Sequence, residues 1–548
     1  MSKSNNLLII TSALPYANGP LHFGHLLEHI QTDIWVRTNR AMNKKCIYIC
    51  ASDAHGTPIM LKAEEEGVTP EDLIEEVTEQ QKNSLVNFNI QHDNYYTTHS
   101  EENKYFSEHI FNSADKKGLI LRKKIKQLFD DTKGLFLADR YVQGECPKCG
   151  AKNQYGDNCE ICGATYEATE LINPKSIFSG KKPSIKESEH LFFDVAACSN
   201  NLQKWIKETK LQSAVKNKIQ EWFIDGLKPW DISRDAPYFG FKIPGYDDKY
   251  FYVWLDAPIG YIASLENFLK KEKVGKTSKD LWDEKSDTEI YHFIGKDIMN
   301  FHTLFWPCML EAGGFKKPTN VFIHGFMTLN GKKMSKSKKN FLLVDDYLDV
   351  LKPDLIRYYL ASKLSTGVDD LDMDLEDFQK KVNTDLVGKF VNIASRSQGF
   401  LKKDDNKLSR SLDLEIIDKF IDKKEEIFNL FHSRDFSKAI KEIMQLADKA
   451  NQYIDFHKPW ELNKNDDNSE DVKKIASTAI NLFRILNLYL EPVIPETSEK
   501  IKNYLKSNQS LDDLSTNLID HQIDIFKPLM FRIEDAEITK LNEISQNG

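Results

Sequence analysis

The sequence predicts a doubly wound α/β domain, opened by a cysteine-bearing insertion and followed by an all-α bundle. Three observations carry that expectation. The first 50 residues alternate as strand, crossover helix and strand. Four of the eight cysteines crowd between positions 146 and 162. From about Thr384 onward apolar residues recur at helical spacing, as in Leu414, Ile417, Phe420 and Ile421, and again in Ile440, Ile443, Leu446 and Ala447. At ~150 residues per unit, a chain of 548 residues holds three or four of them.

In order along the chain, Leu7–Thr11 is an apolar, partly β-branched run suited to a buried parallel strand. The turn-rich Pro15–Pro20 follows. A helix opens near His22 with Leu27, Ile30 and Ile34 on one face, and Lys45–Cys50 supplies a second strand. From about Gly118 to Trp230, short strands and the cysteine cluster read as an insertion. Strand-like runs resume at Lys249–Leu255, Glu289–Ile294, Val321–Ile323 and Phe326–Leu329, and Asn330-Gly331 is a hairpin-type turn. Ile298 opens a helical stretch that Asp297 is placed to cap. Asn463–Glu470 is a polar loop, and no internal repeat is present.

Composition narrows the class. Hydrophobic residues at 41% and charged residues at 29% describe a globular chain, and 25 Gly with 18 Pro exclude collagen-like and low-complexity types. The 74 basic residues against 83 acidic give a net of -9, which excludes a uniformly basic nucleic-acid binder. Local positive faces remain, at Arg122–Lys126 and Lys332–Lys339. Leu7–Ile10 falls far short of the ~20 residues of a spanning helix and has no signal-peptide layout. A reducing, cytoplasmic setting follows as the expectation. There Cys46, Cys50, Cys198 and Cys308 are small buried apolar groups, while the other four point to metal.

Three motifs carry chemistry. In His22-Phe23-Gly24-His25, two histidines share one face at a helix mouth, where free N–H groups and the positive dipole end attract phosphate. Alone, the pair reads equally as a capping histidine plus a core histidine. In Lys333-Met334-Ser335-Lys336-Ser337, part of a window with five lysines and no acid, ammonium groups on a small-residue loop can neutralise a pyrophosphate. A solvated charge run is the plain alternative. Cys146, Cys149, Cys159 and Cys162 form C-x2-C-x9-C-x2-C, whose four thiolates would close a tetrahedral, structural zinc site. Two disulfides or free thiols are the alternative.

HFGH after the first strand with KMSKS after the last resembles the signature pair of class I aminoacyl-tRNA synthetases. Ala13-Leu14-Pro15-Tyr16-Ala17-Asn18-Gly19, Asp53-Ala54-His55-Gly56-Thr57-Pro58, Trp230–Asp235, Trp254-Leu255-Asp256-Ala257-Pro258 and Phe293–Asp297 are similar to the methionyl branch of that family. The resemblance implies a methionine–tRNA ligase that forms an adenylate from ATP and charges tRNA(Met), initiator and elongator, with Mg2+ accompanying ATP. It implies catalytic roles for His22, His25, Lys333 and Lys336, and ATP contacts from His22, Gly24, His25, Gly295, Asp297 and Lys336. Leu14, Tyr16, Asp53, Trp254, Ala257, Pro258, Tyr261, Ile298 and His302 match its methionine pocket, with Asp53 facing the substrate ammonium. Arg234 is a further cationic candidate. Asn392, Arg396 and Trp460 match its anticodon readers.

The resemblance also divides the chain. Residues 1–117 and 236–325 become a split Rossmann catalytic domain, and 118–235 a connective insertion bearing one zinc. Residues 326–383 become a KMSKS-bearing stem-contact module, and 384–548 an all-α anticodon-binding bundle with a C-terminal tail. No editing insertion of several hundred residues is present, which separates the chain from leucine, isoleucine and valine enzymes. The length leaves no room for the dimerisation domain of longer relatives, so a monomer is expected. A small-molecule nucleotidyltransferase also uses HxGH, but it has no need of the bundle.

Overall fold

Apolar strands that must satisfy their backbone on both edges line up in parallel at the centre of the molecule. The computed structural model describes residues 6–156, 158–334, 340–465, 467 and 469–547. Its main sheet uses Leu8–Ser12 (β1), Cys46–Ser52 (β2), Asn94–Thr97 (β3), Glu289–Gly295 (β4) and Asn320–His324 (β5), in the order β5-β4-β1-β2-β3. All four pairings are parallel. The order reverses at β1, so the crevice beyond its carboxyl end is where an open α/β sheet receives ligand. The expected strands thus form within a residue or two of their sequence limits.

The helix Phe23–Ala41 (α1) follows β1. Its expected apolar face is buried at Leu27, Ile30 and Ile34, yet Gln31, Thr32 and Asp33 on the remaining surface are buried as well. The helical bundle covers that second side. Arg357, fully buried, donates to Asp33 Oδ2 at 2.6 Å and to the carbonyls of Phe88, Pro492 and Val493 at 2.9–3.1 Å. Trp35 Nε1 donates to the His432 carbonyl at 2.9 Å. One apolar core accordingly runs without interruption from Leu8 through α1 to Leu541 in the bundle, while a second core fills the other face of the sheet.

The insertion builds separate sheets. One places Trp230–Asp231, Ser184–Phe193, Ile120–Asp130 and Leu135–Phe136 side by side. A smaller one, Gln154–Tyr155, Val142–Glu145 and Ile172–Ser176, carries the cysteines over its own small core of Leu128, Leu135, Leu137, Val142, Ala168 and Leu171.

Two expectations change. The run Lys249–Leu255 is not one strand: it pairs only over Lys249–Phe251 and turns helical at Val253. There the Tyr238 hydroxyl accepts the Val253 N–H at 3.0 Å and takes the place of a sheet partner. Asp297 is no cap; it lies inside a 3-10 turn, Lys296–Ile298, that continues into a π-helix over Phe301–Phe305 and then an α-helix from Trp306. The Asn330-Gly331 turn does join two antiparallel strands, Met327–Leu329 and Lys332–Lys333, with φ of 49° and 73° at its two residues. The segment expected as a tail ends in a helix, Asp535–Asn547, that docks on this hairpin. Phe341 N donates to the Ser545 carbonyl at 3.0 Å, and Asn330 Nδ2 donates to Asn542 Oδ1 at 3.1 Å. Among the described residues, no helix is long and apolar enough to cross a membrane.

Candidate active site

A cavity of about 1260 Å³ opens at the carboxyl edge of the sheet, and 14 of the residues expected in catalysis, ATP contact or methionine contact line it. Those are Leu14, Tyr16, His22, Gly24, His25, Asp53, Trp254, Ala257, Pro258, Tyr261, Gly295, Asp297, Ile298 and His302. Lys336 lies outside the described residues, and of Lys333 only the backbone is described, in the strand Lys332–Lys333.

At the mouth of α1 the capping reading and the ligand reading of HFGH meet. His22 is the N-cap: its Nδ1 accepts the Gly24 N–H at 3.0 Å, and the His22 N–H is donated to His25 Nδ1 at 3.3 Å. Each Nδ1 is thus an acceptor, which leaves each ring proton on Nε2. The two rings stack at 3.8 Å, and burial, then the neighbouring His22, holds His25 well below its ordinary pKa. His25 is therefore a neutral imidazole with its proton on Nε2. A side chain at Gly24 would stand 2.8 Å from the His22 ring, so only glycine permits this cap. The distant motif closes on the same point. The Met334 methyl group lies within 4.0 Å of the position a Gly24 Cβ would take, Phe341 packs edge-on to His22 at 5.6 Å, and Leu343 bridges His22 through the backbone.

At the opposite end of the cavity lies Asp53, an acid with one oxygen left without a partner. Asp53 N donates to the Pro15 carbonyl and Ala17 N to the Asp53 carbonyl, both at 2.8 Å, which pins the Tyr16 loop beside the end of β2. Asp53 is 7% exposed, yet its Oδ1 and the Tyr16 hydroxyl have no hydrogen-bond partner. Burial first, and then Asp256, pushes the Asp53 carboxyl well above its usual range. A buried anion without a partner is unstable. The site is therefore complementary to a cationic group.

Its walls are aromatic. Trp254 stacks on Phe301 at 4.3 Å and Trp230 on Phe305 at 4.4 Å, so the π-helix supplies the second layer behind the expected pocket residue. His302 Nδ1 donates to the Ile298 carbonyl at 3.1 Å, leaving Nε2 to accept from the Tyr261 hydroxyl at 2.9 Å. Burial lowers His302 to about 4, so it is neutral and the hydroxyl is fixed in direction. Arg234 lies 3.6 Å over the Tyr252 ring and 3.5 Å from Asp231, at the rim contributed by the insertion.

Several site groups had no sequence signal. Glu28, buried on α1, faces His324 at 3.4 Å; burial raises the acid, and for the imidazole burial is outweighed only by the Glu28 hydrogen bond and charge, the Gly325 carbonyl and Asp297 acting together, which raise it. His55 is bonded to Asp256 and, through Nε2, to His99 Nδ1 at 3.0 Å. These pairs join positions 201 and 296 residues apart, which no local pattern records.

The four cysteines gather as expected. All are free thiols, and their sulfurs lie within 4.8 Å of one another. Cys146–Cys162 and Cys149–Cys159 are 3.8 and 3.6 Å apart, against the ~3.8 Å edge of a ZnS4 tetrahedron with ~2.3 Å bonds. Lys148, Cys149 and Cys162 direct backbone N–H groups at sulfur over 3.4–3.5 Å. The donor set fits a metal ion. In the bundle, Asn392 and Arg396 both reach Asn451 Oδ1, at 3.4 and 3.3 Å, and the Arg396 guanidinium lies 5.6 Å over Trp460. These three expected readers thus share one surface patch.

A parallel sheet of this order, with paired imidazoles at its crossover helix and Met334 brought beside them, is the arrangement of a class I tRNA synthetase. The family model described as tRNA synthetases class I (M) matches residues 8–398, and that for the anticodon-binding domain of tRNA ligase matches residues 413–540. The chain belongs to the class I (M) tRNA synthetase family. Among solved structures, Mycobacterium tuberculosis methionyl-tRNA synthetase in complex with methionyl-adenylate is similar with a TM-score of 0.78 at 22% identity, over 95% of this chain and 99% of that one. The apo form of the mycobacterial enzyme gives 0.72 at 20%, over 97% and 99%.

Proposed function

We propose that the protein activates L-methionine with ATP to methionyl-adenylate and pyrophosphate, then transfers methionine to the 3′-terminal adenosine of tRNA(Met), both initiator and elongator. The observation that carries this reading is the pairing, inside one cavity, of a buried carboxylate at Asp53, whose Oδ1 has no hydrogen-bond partner, with a phosphate-attracting helix mouth at His22 and His25. Asp53 takes the substrate ammonium. Leu14, Tyr16, Trp254, Ala257, Pro258, Tyr261, Ile298 and His302 surround the side chain, whose polarizable thioether suits stacked aromatic walls. Gly24, Gly295 and Asp297 border the nucleotide.

The methionine carboxylate oxygen attacks the α-phosphorus in line, and pyrophosphate leaves. The Nε2–H groups of His22 and His25 donate to the equatorial oxygens as charge spreads onto them, a contribution of about 2.7–4 kcal/mol for one such donor. Lys333 and Lys336 escort the pyrophosphate. Mg2+ arriving with ATP neutralises phosphate charge. A ribose hydroxyl of the terminal adenosine then attacks the carbonyl carbon and AMP leaves.

Cys146, Cys149, Cys159 and Cys162 hold one structural zinc, and Asn392, Arg396 and Trp460 read the anticodon. The methionyl-adenylate in the mycobacterial relative supports the substrate assignment. A cytoplasmic monomer completes the reading. ATP–pyrophosphate exchange across the twenty amino acids tests it: exchange with methionine alone is expected, and exchange with leucine but not methionine overturns it.

A further inference from the structure

At the floor of the cavity, which His29 lines, three side chains of metal-ligating type converge that the proposed reaction does not use. His29 lies on α1 two turns beyond His22, Cys50 on β2 three residues before Asp53, and His92 just ahead of β3. A ligating atom from each lies within 4.8 Å of the other two. His29 and Cys50 are 1% and 0% exposed, while His92 is only partly covered. The Nε2 atoms of both histidines are buried and have no hydrogen-bond partner. Cys50 Sγ makes only long contacts, 3.7–3.8 Å, to the carbonyls of Ser12, Ala13 and Ala51. Each buried, unsatisfied polar group costs about 1–3 kcal/mol, so two that face a thiol call for an occupant.

We propose that His29, Cys50 and His92 form a second metal site, distinct from the four-cysteine cluster, for a borderline-soft divalent cation of the zinc type. Two neutral imidazoles and a thiolate are the donor set such ions prefer over hard cations, and three protein ligands leave a fourth position for water. Burial holds both imidazoles in the neutral, ligand-competent form, with His92 down to about 3. The same burial raises the Cys50 thiol, so an arriving cation displaces its proton to solvent. Glu28 is close enough to act electrostatically on Cys50 and offset part of the added charge, while Asp33, which acts on His92, is already paired with Arg37 and Arg357. Partly exposed His92 is the entry. The bound ion would tie the helix that begins at His22 to the strand that ends at Asp53.

The test is metal stoichiometry on the full chain. Wild type, Cys50→Ala and His92→Ala are stripped, titrated with Zn2+ alone and then with Co2+, and counted by mass spectrometry, with circular dichroism checking the fold. Wild type is expected to hold two equivalents and each variant one. The lost Co2+ equivalent should be the one with the weaker, single-sulfur charge-transfer absorbance. Cys149→Ser is expected to lose the other equivalent, with the intense four-sulfur band. A wild type that holds one equivalent overturns the proposal, and so does a second equivalent that survives both Cys50→Ala and His92→Ala.

Discussion

The two ends of the molecule hold their polar groups in opposite ways. In the cavity, Asp53 Oδ1 and the Tyr16 hydroxyl are buried atoms without a hydrogen-bond partner, held by backbone bonds from Pro15 to Ala17. On the bundle, Asn392 and Arg396 rest at the surface on Asn451, and Arg396 also on Asp455, whose carboxylate is 60% exposed. The first arrangement spends folding stability to keep a receptor ready for one small cation. The second parks its groups on exchangeable partners, since exposed pairs contribute about 0–1 kcal/mol, which on the proposed reading lets a base edge replace them. Small-ligand chemistry needs fixed, desolvated groups, whereas recognition of a flexible RNA loop works with exchangeable ones.

The comparison breaks most sharply at Asp53. Asp53→Asn removes one partner of a buried ion pair in the substrate complex, a loss of about 3–5 kcal/mol, so methionine-dependent exchange should fall at least 10²- to 10³-fold. The same change should raise the thermal midpoint of the free protein at pH 7. A carboxyl whose folded pKa is raised costs stability above its unfolded value of 3.8, so the gain should vanish below pH 4. An equal midpoint at pH 7 would contradict the reading of a strained receptor.

His22→Ala comes next. It deletes a helix cap worth about 1 kcal/mol and a donor to the α-phosphate, so kcat should drop roughly 10²-fold or more with a small fall in stability. Trp460→Ala sharpens the other side of the comparison. Loss of one stacked base, about 1–3 kcal/mol, should lower kcat/KM for tRNA roughly 5- to 150-fold while leaving exchange untouched. A matching loss of exchange would mean that the patch acts on the cavity rather than on RNA.

The smallest effect is on pH dependence. Burial holds His302 and His432 at about 4, below the ordinary 6.5. The neutral forms favour the fold, so this stability is complete above pH 6.5 and is lost as the pH falls from there through about 4. The thermal midpoint should decline across that window. His432→Asn, far from the cavity, should flatten the decline.

Local pattern made much of this legible. Parallel strands announce themselves as β-branched runs, a helix start by HFGH, a metal knuckle by cysteine spacing, and a hairpin by Asn330-Gly331. Buried pairs such as Glu28–His324 and Asp256–His55 stayed hidden because topology, not spacing, brings them together. The aromatic run after Lys249 misled for a related reason: the Tyr238 hydroxyl, supplied from outside the run, decides where the strand stops. Cys50, read as an inert core thiol, gains a different meaning only once His29 and His92 are seen beside it.

Arg357 has a consequence for how the molecule comes apart. Its guanidinium joins Asp33 on α1 to carbonyls at Phe88, Pro492 and Val493, and the apolar core is continuous across the same boundary. Detaching the bundle would take the Pro492 and Val493 carbonyls from the buried Arg357 cation and expose the shared core on both sides, which neither part tolerates alone. The α/β domain and the bundle should therefore melt in a single calorimetric transition. The cysteine-bearing sheet, with a core of its own, is free to melt as a separate unit.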